Sequence, residues 1–256
     1  MAERDLVIGG WHAVRLALEL APDSALELWL RQGHEDESAD ALAEQARRCG
    51  AAVQRVEPRT LDRLYGDERH QGVVLRRRPP AMHPLDDLLA RGSTTPPLLL
   101  VLDGVQDPRN FGACLRAADG AGVDAVIYPR DKSAPLSSVA AKAASGALDT
   151  VALVPVANLA RALDAVKTAG VWVTGTAHDA ALDLYAAEFT APAALVLGNE
   201  GSGLRRLTRE RCDHLVRIPM AGRVPSLNVA TAAAVCLFEV RRQRRVGSGS
   251  DHRPSA

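Results

Sequence analysis

Short apolar runs and amphipathic stretches take turns along most of this chain. Residues 98–102, 125–128, 151–154, 171–174, 194–197 and 215–218 are apolar, several without interruption, as strands covered on both faces are. Between them helical spacing recurs at 111–119, 137–145, 158–169, 204–211 and 226–245. Strand and helix in alternation predict a mostly parallel sheet flanked by helices over residues 98–245. Residues 1–78 repeat the theme on a smaller scale, with strands at 6–8, 26–30, 52–56 and 72–75. Helices at 11–20, 39–49 and a short one from Thr60 lie between those strands. The predicted fold class is α/β, a small α/β unit ahead of a larger one.

Residues 79–97 break the pattern. They hold five prolines and a Gly-Ser-Thr-Thr segment around one weak helix at 85–90, and read as a semi-rigid linker. Arg76, Arg77 and Arg78, just before it, read as a solvated flank rather than a phosphate clamp. Residues 246–256 are glycine, serine and charge, and are expected to be disordered.

Composition narrows the class. With 47% hydrophobic and 24% charged residues over 256 positions, this is an ordinary globular chain. Lys+Arg and Asp+Glu both total 31, which argues against indiscriminate polyanion binding but leaves local basic patches open. Cys49, Cys114, Cys212 and Cys236 are scattered, without C-x-x-C, and the histidines form no H-E-x-x-H. No metal and no disulfide framework is expected. No apolar run is long enough to span a bilayer, and Glu3, Arg4 and Asp5 interrupt any signal peptide. The expected location is the cytoplasm, with no membrane partner.

Three stretches carry candidate chemistry. The first runs from Asp103 to Asp119, off the carboxyl end of the first large-sheet strand, where open α/β sheets bind ligands. Phe111, Leu115 and Ala118 make its buried helix face, while Arg109, Gly112 and Arg116 point the other way, with Gly112 leaving room over the helix start. Two guanidiniums and the Asn110 amide make either a phosphate-sized site or a salt-bridged surface helix. The second, Gly198-Asn199-Glu200-Gly201-Ser202-Gly203, ends a buried strand with three glycines that permit close approach to backbone. It is not a G-x-G-x-x-G fingerprint, and no G-x-x-x-x-G-K-[ST] exists, which disfavours nicotinamide enzymes and excludes a P-loop. The third runs from Ile218 through Pro219, Met220, Gly222 and Pro225 into a helix opening at Ser226, an N-cap residue type. Ser226 and Asn228 sit where backbone donors are unpaired. Trp11 and His12, beside the Gly9-Gly10 pair, are either an RNA contact or, more often for such residues, packing and capping groups.

Taken together and in this order, Asn110-Phe111-Gly112-Ala113 with Arg116, Gly198-Asn199-Glu200-Gly201, and Ile218-Pro219-Met220 with Ser226-Leu227-Asn228-Val229 resemble the SpoU (TrmH-type) family of SPOUT RNA methyltransferases. The N-terminal Ile8-Gly9-Gly10-Trp11-His12-Ala13-Val14 looks like the substrate-binding domain of members that methylate a guanosine ribose 2′-hydroxyl in the peptidyl-transferase centre of 23S rRNA. The resemblance implies a C-terminal SPOUT domain with a deep trefoil knot, an S-adenosylmethionine cofactor and a homodimer formed through that domain. It implies a cofactor pocket lined by Thr174, Gly175, Leu197, Gly198, Gly201, Ile218, Met220 and Leu227. Arg116 matches the family's catalytic arginine. A guanidinium is a poor base, so electrostatic stabilisation of the developing alkoxide and grip on a neighbouring phosphate are the roles expected of it. Asn110, Ser226 and Asn228 are expected to orient the ribose and Arg116, and Glu200 to hold an arginine or accept a proton. Arg109, Arg116 and His12 are the expected RNA contacts. Pro225 departs from the pattern, because it removes a backbone donor next to Ser226. The rival readings are the same chemistry on tRNA and a catalytically silent RNA-binding or ribosome-assembly factor.

Overall fold

The computed structural model describes residues 5–33, 37–66, 68–92, 94–199 and 201–247. Its first half is built from β1 (Leu6–Gly9), α1 (Trp11–Leu20), β2 (Ala25–Arg31), α2 (Glu37–Arg48), β3 (Ala52–Val56), α3 (Pro58–Tyr65) and β4 (Val73–Arg77). These make a four-stranded sheet in the order β1-β4-β2-β3, with β2 and β3 parallel and both β4 pairings antiparallel. The second half follows α4 (Leu85–Leu89). It comprises β5 (Leu98–Asp103), α5 (Pro108–Gly120), β6 (Ala125–Pro129), α6 (Ser138–Ala144), α7 (Ala147–Thr150), β7 (Ala152–Val156), α8 (Leu159–Thr168), β8 (Trp172–Thr176), β9 (Leu182–Asp183), β10 (Ala193–Gly198), α9 (Arg206–Arg211), β11 (His214–Arg217) and α10 (Val229–Gly247). Its seven strands run in the order β7-β6-β5-β10-β8-β11-β9, every pairing parallel.

The apolar runs explain the layers. In β5 all six residues are buried, and they alternate between faces. Leu98, Leu100 and Leu102 join the core formed with α5, α6 and α10, while Leu99 and Val101 join the core formed with α8. A side chain every second residue on each face is what a strand covered on both sides requires. The first of those cores does not stop at the large sheet. Ile8, Val14, Ala17 and Leu18 of the N-terminal half pack in one cluster with Ala140, Ala144, Ala147 and Leu148 of α6 and α7.

Several expectations change here. Helix 137–145 ends at Ala144, and a separate short turn, α7, follows it. The break falls at Ser145 (φ 50) and Gly146 (φ 99), both left-handed. The C-terminal helix begins at Val229, not Ser226, because Asn228 is its cap, the side-chain oxygen accepting the Ala230 N–H at 3.0 Å. Leu227 therefore lies outside the helix, and Val229, Ala233, Cys236, Leu237 and Val240 make its buried stripe. The strand β9 was not anticipated; two residues leave no periodicity to read. The helix α10 runs to Gly247, into the stretch expected to be disordered, and residues 248–256 lie outside the described ones.

Of the three consecutive arginines, Arg76 and Arg78 are exposed, as a solvated flank would be, and Arg77 is not. Strand alternation turns Arg77 inward, 1% exposed, onto Asp149 of α7 at 2.5 Å, while Arg76 pairs with Glu27 at 3.0 Å. The proline-rich segment is laid on the large sheet. The His83 N–H donates to the Leu153 carbonyl at 2.8 Å, and Leu85, Leu88 and Leu89 pack against the α8-side core. No helix among the described residues is long and apolar enough to cross a membrane.

Candidate active site

The parallel register places the carboxyl ends of β5, β10, β8 and β11 side by side. Asp103 is opposite Gly198, Val196 is opposite Gly175, and Val216 is opposite Thr176. All three candidate stretches leave this one edge, and the loops between strand and helix decide its chemistry.

From β5 the chain turns at Gly104 (φ 82) and enters α5 through Asp107, whose carboxylate accepts the Arg109 N–H at 2.7 Å, with Pro108 at the first helical position. Asn110 lies on that first turn, and its side-chain oxygen accepts from the Asn228 amide at 3.0 Å. Two motifs 118 residues apart thus meet through one hydrogen bond. Arg109 and Arg116 are exposed on the same helix. The Arg116 guanidinium donates to the Ser145 hydroxyl at 3.4 Å. Phe111, Leu115 and Ala118 are fully buried as expected. Gly112 does not open the helix start to a ligand: a β-carbon there would lie 2.2 Å from the Ala140 carbonyl oxygen, so the missing side chain lets α6 pack against α5.

The loop after β10 is folded on itself. Asn199 exchanges backbone hydrogen bonds with Gly203 at 3.1 and 2.9 Å, its side-chain oxygen accepts the Gly201 N–H at 2.9 Å, and its amide donates to the Gly104 carbonyl at 3.0 Å. Farther on, the Arg205 backbone and guanidinium donate to the buried Asp103 carboxylate at 2.8 and 2.5 Å. Gly198 is required by this loop rather than by a ligand, since a β-carbon would sit 2.2 Å from Gly203 carbon. At Gly201 the nearest atom to an added β-carbon is 3.6 Å away, and the residue is exposed. Glu200 lies outside the described residues.

Thr174 and Gly175 lie within β8, short of its end. Thr174 is 4% exposed, and Gly175 makes room for Cys212, Leu204 and Leu215. Leu197 is buried beside them in β10. After β11, Ile218 and Leu227 are half-buried, whereas residues 219–226 are exposed, Met220 at 37% and Ser226 among them. An apolar pair half-sunk beside an exposed methionine fits the apolar face of a flat aromatic group. His12 is exposed on the first turn of α1, in the other half of the chain. Trp11 is tied down, its indole donating to the Gln71 carbonyl at 3.0 Å.

Reading by motif gave no role to Asp103 and Asn199, although both lie inside the quoted stretches, and passed over Arg205 and Ser145. A carboxylate closing an unbroken apolar strand signals Asp103, and a Ser-Gly pair inside a helical pattern signals the break at Ser145. Burial, with Asp213 and Asp103 adding to it, pushes the Cys212 thiol up to about 12, and burial does the same to Cys236, which disfavours both as nucleophiles. Among the described residues no cluster of His, Cys, Asp and Glu is placed to hold a metal.

The model of the SpoU rRNA methylase family matches residues 97–238, and the model for RNA 2′-O ribose methyltransferase substrate binding matches residues 7–83. The chain belongs to the SpoU rRNA methylase family. The SpoU match contains the whole edge just described, from Asp103 through Asn228. Among curated SpoU relatives, the 23S rRNA (guanosine-2'-O-)-methyltransferase RlmB of Shewanella oneidensis is 48% identical over 248 residues, 96% of this chain and 100% of that protein. The SpoU methyltransferase AviRb from Streptomyces viridochromogenes, solved in complex with the cofactor AdoMet, superposes with a TM-score of 0.79 at 28% identity, covering 94% of this chain and 90% of that one. The TrmH/SpoU tRNA modifying enzyme of A. aeolicus covers only 67% of this chain, with 85% of its own length matched, at a TM-score of 0.55 and 29% identity.

Proposed function

We propose that this SpoU chain is an S-adenosylmethionine-dependent methyltransferase that modifies the ribose 2′-hydroxyl of a guanosine in 23S rRNA. The observation that carries the reading is the end-to-end relation to the Shewanella oneidensis enzyme, together with the match of residues 7–83 to the RNA 2′-O ribose methyltransferase substrate-binding model; the tRNA enzyme covers only 67% of this chain.

The geometry supports a division of labour along the sheet edge. In this reading Leu197, Gly198 and Gly201 with Ile218, Met220 and Leu227 enclose the cofactor, and Thr174 and Gly175 support them from within β8. S-adenosylmethionine, when bound, supplies the electrophilic methyl group. Arg116 grips a phosphate beside the target ribose and stabilises charge as the 2′-oxygen gives up its proton to Glu200 or to water. Asn110 and Asn228, already hydrogen-bonded, fix the ribose so that alignment supplies much of the rate. Ser226 and Glu200 complete the ribose site, and Arg109 and His12 extend the RNA contact. A second copy of the chain docks through the C-terminal half. Phe238, 52% exposed on α10 beside Gly120, supports that surface. The C-terminal chain passes through the trefoil knot of its family, residues 1–78 and 98–245 are the RNA-binding and methyltransferase domains, packed on one another through α1, β4, α6 and α7, and the work is done in the cytoplasm.

Ribose-methylation mapping of rRNA and tRNA from cells with and without the gene tests the reading. Loss of one 2′-O-methylguanosine from 23S rRNA, restored by the wild-type gene but not by Arg116→Ala, is the expected result. Loss from tRNA instead overturns the substrate, and no change in either RNA overturns the activity.

A further inference from the structure

The α6–α7 junction is held from both sides. On one side, Ser145 caps α6 in the left-handed region at φ 50, which L-residues adopt at a cost. Its hydroxyl donates to the Lys142 carbonyl at 3.4 Å and accepts from the Arg116 guanidinium at 3.4 Å. The geometry uses both halves of the hydroxyl, donor and acceptor. On the other side, the N-terminal half presses on the next residues. Leu16 of α1 packs over the next residue, its Cδ2 2.4 Å from where a β-carbon on Gly146 would be, and the φ of 99 at Gly146 favours glycine there. Asp149, one turn on, is locked to buried Arg77 at 2.5 Å, and the Lys142 ammonium lies 5.3 Å from the centre of the Tyr65 ring. A strained residue persists where its surroundings over-determine it, and here they do so beside an arginine at the candidate site.

We propose that Ser145 is a positioning residue for Arg116: its hydroxyl sets the direction of the guanidinium, and docking of the N-terminal half on Gly146 and Asp149 holds Ser145 in place. The proposal rests on Arg116 being the catalytic arginine. An exposed arginine samples many rotamers, and a single acceptor backed by a rigid junction narrows them toward the ribose site. It also makes the substrate-binding half part of the catalytic geometry, since the residues that fix the junction from outside belong to α1, α3 and β4.

The test uses the full-length protein, S-adenosylmethionine, and 23S rRNA and large-subunit particles from cells lacking the gene. Ser145→Gly keeps the left-handed backbone without strain and deletes the hydroxyl. Ser145→Asn tolerates the same backbone and restores an acceptor oxygen. For Ser145→Gly, kcat is expected to fall about ten-fold, the scale of one hydrogen bond to a charged group, with the RNA KM and melting temperature unchanged. Ser145→Asn should recover most of that loss. A kcat within two-fold of wild type for Ser145→Gly, alongside an inactive Arg116→Ala, overturns the positioning role and leaves the catalytic reading standing. So do a rise in KM alone, a parallel loss of melting temperature, or failure of Ser145→Asn to restore turnover. An Arg116→Ala protein with normal kcat removes the catalytic reading itself, and the proposal with it.

Discussion

Two loops leave the same sheet edge and could hardly be built more differently. The loop after β10, at 199–205, carries glycine at 201 and 203, directly behind Gly198, yet it is stitched to itself and to the end of β5 through Asn199, Arg205 and Asp103. The loop after β11 has one glycine and two prolines between residues 219 and 226, and every one of those residues is exposed. Glycine content is therefore a poor guide to looseness. At Gly198 the missing side chain allows a contact that would otherwise clash at 2.2 Å, so the glycine tightens the turn. Proline in the second loop stiffens the chain locally but removes donors, so fewer hydrogen bonds can bind that loop to its neighbours. One loop is a preformed floor, and the other is a wall that a bound group or a second copy of the chain would have to cover.

The largest break in this contrast is expected from Asp103→Ala. It removes a buried acceptor of both the Arg205 backbone and its guanidinium, and leaves the buried Nη2 of an otherwise partly exposed Arg205 without its carboxylate. A loss near 3 kcal/mol is expected, the low end for a broken buried pair, read from urea unfolding. A loss under 1 kcal/mol would mean the stitching is ornamental. Gly198→Ala comes next. Its β-carbon meets backbone that cannot rotate away, so overpacking of about 1–3 kcal/mol is expected, again in urea, together with weaker S-adenosylmethionine binding by calorimetry. Asn199→Ala should follow at about 1–2 kcal/mol, because the Gly104 carbonyl and the Gly201 N–H both lose a partner but can reach solvent. Hydrogen exchange on this variant should speed up at 201–205 and leave 219–226 as it was.

What could be read in the residues divides along the same physical line. Unbroken apolar runs such as Leu98 to Leu102 declare a buried strand because both faces must be dry, and the sheet followed from them. Phe111, Leu115 and Ala118 declared a buried helix face for a like reason. The grouping of Asn110, Arg116 and Asn228 came from the family resemblance rather than from spacing, and the fold brings Asn110 and Asn228 into contact. Long-range pairing was not legible. Nothing in three consecutive arginines says that the middle one meets Asp149, because strand alternation fixes a direction and not a partner. The same holds for Asp103 with Arg205 and for Ser145 with Arg116, whose partners are set by packing of distant segments. Ser226 and Asn228 are both good caps, and only the geometry of the loop chose Asn228.

Met220→Ala is the smallest expected change in stability and the sharpest test of the contrast. The side chain is 37% exposed and sits in the loop that makes few demands on the fold, so unfolding in urea should shift by less than about 0.5 kcal/mol. If the wall closes on the cofactor, the same methionine becomes buried on binding, and its truncation forfeits about 1 kcal/mol of apolar contact, roughly five-fold in Kd for S-adenosylmethionine. Stability and affinity should thus part company here and move together in Gly198→Ala. A Met220→Ala protein that binds the cofactor as wild type does would take the wall out of the pocket and leave the stitched floor to do the binding alone.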